Sequence, residues 1–380
     1  MKWDLLIKGG ELLDPARRVR TQEDVAFSAG RVAETGSDLD ARQARTTLDA
    51  TGLLVTPGMI DLHVHVFPKV SYLGLDPDST CLARGATTVV DAGSAGADTF
   101  DAFRHWIIDV SATDILAYLN IASTGMLSPE VGELMDLNHA NVDKACKTIE
   151  RHRDRILGVK VRLTRDLIVS EQAGLTPLHR AREAADAAGL PIMVHPQDAF
   201  CDSLDDILAV MGKDDVLTHC FHAKEGCGIL DAEGKVRDSV NDAIARGVLL
   251  DVGHGRGSFG WEIAETALAN GLQPHTISTD LHTLNIEGPV HDLGNVVSKF
   301  LQLGIGLDEA FAKVTSVPAR FLRLEDQIGT LKPRARGDAV VFELRQGSFR
   351  LEDAYGAIRT GSHCLEPRTV VKNGLVYRQL

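Results

Sequence analysis

Residues 56–66 read TPGMIDLHVHV, an apolar run that follows a proline-glycine pair and ends in two histidines. Such a run is typical of a buried parallel strand, and we predict a strand over Met59–Val66. Because side chains at positions i and i+2 of a strand point to the same side, His63 and His65 can reach one point. A His-x-His pair alone is a weak signal, so its meaning depends on the residues at the ends of the other strands.

Further apolar runs alternate with helical patterns through the middle of the chain. Helices are predicted over residues 178–188 and 262–270, each followed by a glycine that can end a helix. Eight strands alternating with helices predict an α/β fold, a parallel (β/α)8 TIM barrel. An open doubly wound sheet is the alternative, but no Gly-x-Gly-x-x-Gly loop follows the first strand. The other predicted strands are Thr87–Ala92, Ile115–Ile121, Gly158–Leu163, Pro191–His195, Val216–His219, Val248–Val252 and Thr276–Thr279.

Both ends of the chain carry short strand patterns instead. Ala339–Phe342 and Thr369–Lys372 are strand candidates, and the second is followed by Asn373-Gly374, a strong hairpin signal between apolar runs. The N-terminal residues show similar short runs separated by turn residues. We therefore predict two domains: a small β-sandwich formed by residues 1–56 and 330–380, and a TIM barrel over residues 57–329.

The composition is that of an acidic chain, with a formal net charge of -13 over 380 residues. Nucleic acid and anionic membranes require a basic surface, so neither is expected as a partner. The six cysteines are scattered, with no Cys-x-x-Cys, which indicates reduced thiols. We expect a cytoplasmic protein, because the first residues lack a signal-peptide pattern and no apolar run approaches about 20 residues.

Four more residues suited to metal chemistry lie at or near the ends of the predicted strands. His195 and His219 end the fifth and sixth strands, Asp280 follows the eighth, and Lys160 lies inside the apolar fourth. A single histidine at a strand end is more often a hydrogen-bonded core residue than a ligand. Several such residues at the carboxyl ends of barrel strands, where barrel active sites lie, favour a metal site instead.

These motifs resemble the amidohydrolase superfamily over nearly the whole chain. Asp61-Leu62-His63-Val64-His65, Lys160, His195, His219 and Asp280 match its two-metal pattern in order and spacing. Gly158–Arg162, Asp251–Gly255 and Ser278–His282 are similar to the deacetylase-type members, which are often labelled dihydroorotase-like.

The resemblance implies a role for each of these residues. His63, His65 and Asp280 would hold the more buried of two divalent ions, most simply Zn²⁺, and His195 and His219 would hold the second. Lys160 would bridge them as a CO₂-derived carbamate, since an ammonium has no lone pair for a metal. A bridging hydroxide would attack the substrate carbonyl, and Asp280 would carry the proton to the leaving group.

Other arrangements of the metal site remain open in the sequence. Lys160 could instead be an ion-paired lysine beside a single metal ion. The letters do not distinguish Zn²⁺ from Mn²⁺, Co²⁺ or Fe²⁺, because metal availability matters as well as ligand type. Some members of the superfamily have lost their metals and are non-catalytic, but all six ligand positions are present here.

The residues around the ligands restrict the substrate. Dihydroorotases carry an arginine two residues after the second histidine, where this chain has Phe67, which cannot replace paired guanidinium hydrogen bonds. The loop Asp91–Gly96 lacks the asparagine used by those enzymes, and the tyrosine typical of hydantoinases is not found after Lys160. The deacetylase-type resemblance implies hydrolysis of an acetyl amide or ester, of an N-acetyl amino acid or an acetylated 2-hydroxy acid. A cyclic amidase is the alternative.

Four residues are candidates for binding this small-molecule substrate. Arg162 points to the same side as Lys160 and could hold an anionic substrate, although a structural salt bridge is an equal alternative. Ser94 lies in the small-residue loop after the second strand, where the small side chains would fit a compact acyl pocket. His254 and His282 lie near strand ends. The resemblance also implies a homo-oligomer.

Overall fold

The computed structural model describes residues 1–165, 167–224 and 226–379, so the last residue of the predicted sandwich, Leu380, lies outside the described residues. The strands are β1 Trp3–Lys8, β2 Glu11–Asp14, β3 Val19–Gln22, β4 Asp24–Ser28, β5 Arg31–Gly36, β6 Ala44–Asp49, β7 Leu54–Pro57, β8 Met59–Val64, β9 Ala86–Gly96, β10 Asp114–Asn120, β11 Ile156–Arg162, β12 Ile192–His195, β13 Val216–Leu217, β14 Leu249–Leu250, β15 Ala339–Glu352, β16 Ile358–Lys372 and β17 Leu375–Gln379.

The helices lie mainly between the strands of the middle region. They are α1 Pro77–Thr80, α2 Phe100–Phe103, α3 Val142–Arg151, α4 Thr176–Ala188, α5 Leu204–Leu208, α6 Asp238–Ala245, α7 Trp261–Ala269, α8 Leu293–Gln302, α9 Leu307–Ala312 and α10 Ser316–Phe321. The predicted helices over 178–188 and 262–270 correspond to α4 and α7. α4 ends at Gly189, whose left-handed backbone caps it.

The middle region forms one parallel sheet in which β8 to β14 lie side by side in chain order. Lys160 of β11 pairs with Met193 of β12, and Arg162 pairs with His195. Parallel neighbours need long connections, and the helices between the strands provide them. The sheet therefore brings the carboxyl ends of successive strands to one edge, as the alternating pattern predicts.

The predicted eighth strand has no regular strand hydrogen bonding, but it joins the two edges of this sheet. On one side, the Asp280 amide donates to His63 O at 2.7 Å and the His65 amide donates to Leu281 O at 3.0 Å. On the other side, the His254 amide donates to Ser278 O at 3.2 Å. Residues 276–281 thus close the strands into a barrel-like ring, and the open-sheet alternative is wrong.

The chain ends form two further sheets that face each other. One has the order β5-β4-β1-β6 and the other β17-β16-β15-β7-β2-β3. Leu5, Val25 and Phe27 of the first sheet pack in one apolar cluster with Val55 and Val341 of the second. This agrees with a sandwich built from both termini, whereas the division of the chain into two domains near residues 56 and 330 stays a prediction.

The C-terminal strands reach much further than the sequence pattern indicates. The pattern predicts strands over Ala339–Phe342 and Thr369–Lys372, but β15 and β16 continue to Glu352 and Ile358 as a long hairpin. This extension is mostly polar and lacks the regular alternation of apolar residues that predicts a strand. The sequence pattern therefore ends before the strands do. The hairpin tip lies on the barrel, where Tyr355 Oη donates to Gly257 O at 2.6 Å. The hairpin therefore connects the C-terminal strands to the barrel.

A buried cation connects the terminal sheet to the barrel. Lys372 Nζ lies 2.8 Å from Asp338 Oδ2 and 2.6 Å from Asp114 Oδ2, and it donates to Thr87 O at 3.0 Å. Lys372 and Asp338 are both buried. Since a buried charge requires partners, this ion pair ties the last long strand to β9 and β10. In the described part of the chain, no helix is long and apolar enough to cross a membrane.

We expect Lys372→Met to lower the free energy of unfolding by about 3–5 kcal/mol, because it leaves the buried Asp338 carboxylate without its cation. Urea unfolding monitored by circular dichroism measures this change. The control is Lys147→Met, on the exposed side of α3, which should stay within about 0.5 kcal/mol of the parent. Equal effects of the two substitutions would contradict the role given to Lys372.

Candidate metal centre

Three of the predicted ligands meet where the first and eighth barrel segments are joined. His63, His65 and Asp280 are buried and present donor atoms that all lie within 4.8 Å of one another. His65 Nε2 is 3.1 Å and His63 Nε2 is 3.4 Å from Asp280 Oδ1. Two imidazole nitrogens and a carboxylate oxygen around one point are a donor set that suits Zn²⁺ and similar ions.

The other two predicted histidine ligands adjoin this group. The ring centroid of His219 is 4.9 Å from that of His63, and the ring centroid of His195 is 4.3 Å from that of His219. Both rings are buried at the ends of their strands. The fold therefore brings all four histidines into one continuous cluster, with His195 furthest from Asp280 along the chain of rings.

Lys160 reaches this cluster from β11. Its Nζ lies 3.5 Å from His63 Nε2, and the side chain is almost completely buried. Burial lowers the pKa of Lys160 to about 7, because the interior disfavours the charged form. A lysine with this pKa is partly a neutral amine at neutral pH, which is the form that can react with CO₂.

Gly93, in the left-handed region at φ +92°, makes room for the Lys160 side chain. A Cβ added at this position would lie 2.8 Å from both Cβ and Cγ of Lys160. Both the backbone conformation and the close approach therefore require glycine here. This contact gives Gly93 a structural role, whereas the compact acyl pocket expected from the small residues of this segment stays a prediction.

A relay of hydroxyl and carboxyl groups orients the His63 ring. Thr218 Oγ1 donates to Asp251 Oδ2 at 2.8 Å and is hydrogen-bonded to His63 Nδ1 at 2.8 Å. A hydroxyl has one proton, so Thr218 must accept from His63 Nδ1 while it donates to Asp251. This arrangement leaves Nε2 of His63 without a proton and able to bind a metal.

Asp251 is the buried anchor of this relay, and the sequence patterns do not assign it a role. It also accepts hydrogen bonds from Thr276 Oγ1 and Ser278 Oγ, both at 2.7 Å. Burial raises the pKa of the Asp251 carboxyl group. These hydrogen bonds act in the opposite direction, because they stabilise the carboxylate. The sequence shows an aspartate inside the apolar seventh strand, within a stretch that carries the family resemblance, but its partners come from two other barrel segments.

The other three histidines of the cluster are each held through a hydrogen bond of one ring nitrogen. His219 Nδ1 donates to Gly253 O at 2.7 Å, His65 Nδ1 is 2.9 Å from Ser94 Oγ, and His195 Nε2 is 3.2 Å from Thr164 Oγ1. The opposite nitrogen of each ring stays available as a ligand atom. Burial lowers the pKa of His65 and of His219 to about 3, so both rings are neutral at neutral pH.

Two of the predicted ligands have unusual backbone conformations. His219 has φ 61° and Asp280 has φ 50°, the left-handed region that residues other than glycine rarely adopt. Such conformations persist only where surrounding contacts enforce them, and they are concentrated at functional sites. The sharp turn at each strand end directs the side chain toward the cluster.

Two further aspartates brace the strand ends without joining the cluster. Asp61 accepts hydrogen bonds from Thr279 Oγ1 at 2.6 Å and from the Thr279 amide at 3.1 Å. Asp91 accepts from the amides of Val66 at 2.8 Å and Ser94 at 2.7 Å. Burial raises the pKa of Asp61 to about 7. These contacts connect neighbouring barrel segments and so position the ligands beyond them in the chain.

Arg162, the first candidate for substrate binding, has a partner in the fold. Its Nη1 forms an ion pair with Glu133, and Glu133 Oε2 accepts from Asn120 Nδ2 at 2.9 Å. Nη1 also lies 3.5 Å from Tyr72 Oη. The structural salt bridge is therefore present, and it uses one nitrogen of the guanidinium, Nη1. Glu133 and Tyr72 carry no sequence signal, because both lie in irregular segments between strands.

The other three candidates have different surroundings. The Ser94 hydroxyl is engaged with the His65 ring. His254 is fully buried, with Nδ1 3.0 Å from Gly255 O and Nε2 2.8 Å from Lys299 Nζ, so both ring nitrogens are engaged. His282 lies beside the cluster, with its ring centroid 6.4 Å from that of His65. The Leu284 amide donates to His282 Nδ1, and no hydrogen bond within the described residues engages its Nε2.

Comparisons with known proteins agree with this geometry. The family model described as "Amidohydrolase family" matches residues 54–376. A protein of Enterococcus faecalis named deacetylase is 34% identical over 380 residues, which cover 99% of this chain and 100% of that protein.

Two solved structures are similar over the whole fold. One, described as an adenine deaminase, is 33% identical with a TM-score of 0.90 and covers 99% of this chain and 100% of its own. The other, described as a dihydroorotase, is 32% identical with a TM-score of 0.89 and covers 99% of each chain. The names of these three similar proteins differ in the substrate they indicate.

We expect Thr218→Val to weaken Zn²⁺ binding by about 10–100-fold, because His63 then loses the acceptor that keeps its Nε2 unprotonated. Competition with a chromogenic chelator measures the affinity. Thr218→Ser keeps the hydroxyl and should bind nearly as the parent does. Thr148→Val, at a buried threonine of α3, controls for the loss of a hydroxyl elsewhere. Parent-like affinity in Thr218→Val would exclude the relay.

Proposed function

The chain belongs to the amidohydrolase family, and we propose that it is a binuclear metal hydrolase that removes acetyl groups. Its substrate would be a small carboxylic acid, either an N-acetyl amino acid or an acetylated 2-hydroxy acid. The observation that carries the proposal is the convergence of His63, His65 and Asp280 within 4.8 Å, beside a buried Lys160.

The donor set supports two divalent ions, with Zn²⁺ as our first choice. His63, His65 and Asp280 would hold one ion, and His195 and His219 would hold the other. Each histidine is already held through one nitrogen, which leaves the opposite nitrogen for an ion. Lys160 would lie between the ions as a carbamate, which supplies two anionic oxygens where the amine supplies none.

When bound, such ions lower the pKa of a coordinated water molecule toward neutral pH and polarise the substrate carbonyl. Asp280 would take the proton of the attacking water and transfer it to the leaving nitrogen or oxygen. Its carboxylate suits this task because the left-handed turn at residue 280 directs it to His63 and His65. Asp61 accepts a hydrogen bond from the Thr279 amide and the His63 carbonyl accepts one from the Asp280 amide, and these two bonds hold the backbone at this turn.

The surroundings of the cluster support an acyclic acetyl substrate over dihydroorotate. Phe67 is buried, and its ring centroid lies 4.8 Å from that of Phe103. The position that carries an arginine in dihydroorotases is therefore part of the apolar core here. One of the similar proteins that this chain matches over nearly its whole length is named deacetylase.

Arg162 and His282 are our candidates for the substrate carboxylate. Both described contacts of the Arg162 guanidinium use Nη1, so Nη2 and Nε can still donate. The described hydrogen bonds of the His282 ring use Nδ1, and its ring centroid lies 6.4 Å from that of His65. His254 is the weaker candidate, since Lys299 and Gly255 engage its ring.

Cyclic amide hydrolysis is the second candidate function. The likeness to a solved structure described as a dihydroorotase favours it, and Phe67 opposes it. A non-catalytic role is the third candidate and is opposed by the complete set of ligand residues.

We expect the Zn²⁺-loaded protein to release acetate from at least one class of acetylated amino or 2-hydroxy acid, tested as separate enantiomers. Asp280→Asn should lower kcat by about 10²–10⁴-fold, since it loses the proton carrier, and this variant also reveals contaminating activity. Dihydroorotate, hydantoin and adenine form the comparison panel. Hydrolysis of dihydroorotate or hydantoin alone would select the cyclic amidase. Inactivity on every compound after Zn²⁺ is restored would favour the non-catalytic role.

We expect Lys160→Ala to hold one ion or fewer per chain and to lose about 10²-fold or more in kcat, because its bridging group is missing. Elemental analysis gives the metal content, and circular dichroism checks the fold. The matched control is Lys313→Ala, which removes another buried lysine, one that donates to Pro274 O at 2.8 Å. Two ions and full activity in Lys160→Ala would rule out the bridge.

Metal loading of the parent protein is also expected to depend on pH and to increase as the pH rises. Carbamate formation requires the neutral amine, and burial sets the pKa of Lys160 at about 7. Metal loading in bicarbonate buffer should therefore increase as the pH rises through about 7 in the parent, whereas Lys160→Ala should show no such CO₂-dependent step.

A further inference from the structure

Two cysteines lie side by side on the loops that follow two of the proposed ligands. Cys201 Sγ and Cys227 Sγ are 3.2 Å apart. Cys201 lies on the segment after His195, which ends β12, and Cys227 lies on the segment after His219. The two thiols therefore connect the loops after the fifth and sixth barrel segments, although 26 positions separate them in the chain.

The local environment favours thiol chemistry at this pair. The hydrogen bond from Cys201 lowers the pKa of Cys227 to about 7, and the Ala199 amide and the charge of Arg165 act in the same direction. Arg165 is itself fixed, because its Nε donates to Asp198 O at 3.1 Å. Cys201 is partly exposed while Cys227 is buried. A reagent in solution can therefore reach the Cys201 thiol, and the Cys227 thiol lies beneath it.

The other cysteines lack this arrangement. Cys81 and Cys220 are buried, and burial raises the pKa of both thiols. Cys146 contacts the backbone carbonyl of Ala184 at 3.9 Å. Within the part of the chain that the structure describes, Cys201 and Cys227 form the one hydrogen bond between two thiols.

We propose that Cys201 and Cys227 form a redox modification site, which disulfides of low-molecular-weight thiols convert into a cross-link between the two loops. The sulfur atoms need to approach from 3.2 Å to about 2.05 Å, a small movement for two loop residues. The site rests on this geometry alone. Its effect on activity rests on the proposed function, because the loops follow the ligands of the second ion.

The reaction proceeds by two thiol-disulfide exchanges. Hydrogen bonding to Cys227 raises the pKa of the Cys201 thiol, so Cys201 must first pass its proton across the 3.2 Å contact to the Cys227 thiolate. The more exposed Cys201 sulfur then attacks the reagent RSSR as a thiolate, which gives Cys201–S–S–R and RS⁻. RS⁻ takes the proton from Cys227 and leaves as RSH. The Cys227 thiolate then attacks the Cys201 sulfur and releases the second RSH. The two protein thiols lose two electrons and two protons in total, and the reagent is reduced to two thiols. After the first exchange Cys201 no longer donates a hydrogen bond, but the Ala199 amide and the charge of Arg165 still favour the Cys227 thiolate in the second step.

The experiment treats the Zn²⁺-loaded, full-length protein with oxidised glutathione and maps its peptides without reduction. Cleavage after Lys213 and Lys224 separates Cys201, Cys220 and Cys227 into three peptides. We expect a linked pair containing Cys201 and Cys227, with a mass about 2 Da below the sum of the two. The melting temperature should rise by a few degrees and return to its first value after dithiothreitol.

Three variants complete the test. Cys201→Ser and Cys227→Ser should each abolish the linked peptide, and Cys227→Ser should keep glutathione on Cys201, because the resolving thiol is missing. Cys146→Ser, a matched loss of a partly exposed cysteine, should form the cross-link as the parent does. In the parent, stable glutathione adducts on Cys201 without the linked peptide, or a linked peptide that includes Cys220, would overturn the proposal. These readouts require no substrate, so failure of the proposed hydrolase activity would leave them interpretable.

Discussion

The hydrogen bonds between the first and eighth barrel segments are the contacts on which the site depends. The Asp280 amide donates to His63 O, and the His65 amide donates to Leu281 O. They close the ring of strands and, in the same two peptide units, set the carboxylate beside both imidazoles. Without this closure, the ligands would lie on opposite edges of an open sheet. One structural constraint therefore decides both the fold and the meeting of residues 63 and 280, which are far apart in the chain.

Burial of polar groups at the barrel mouth is tolerated because nearly every one is hydrogen-bonded. Asp251 receives three hydroxyl donors, and Asp61 and Asp91 receive backbone amides from neighbouring segments. The same dry surroundings lower the pKa values of the buried histidines and of Lys160. The low-dielectric surroundings thus keep the nitrogen atoms of the proposed ligands neutral and fixed, which would reduce the reorganisation that binding of an ion requires.

The segments outside the ring also support its mouth. The β15–β16 hairpin places Tyr355 against Gly257 O, which also accepts a hydrogen bond from Gln197. Cys201 and Cys227 connect the neighbouring loops on the same side. The loops after the fifth, sixth and seventh barrel segments are therefore linked to one another and to the chain terminus. This linkage couples the position of the proposed second metal site to contacts made by residues distant in sequence.

The parallel strands and the candidate ligand residues can be predicted from the amino-acid sequence, because strand periodicity and residue chemistry are local properties. His63, His65, His195, His219, Lys160 and Asp280 could be selected from their places at strand ends. Only the tertiary structure decided the roles of their neighbours. It paired Arg162 with Glu133, enclosed His254 beside Lys299, and placed Asp251 behind Thr218. Each of these contacts joins residues from different barrel segments, and no local pattern records which distant side chain will supply the partner of a buried polar group.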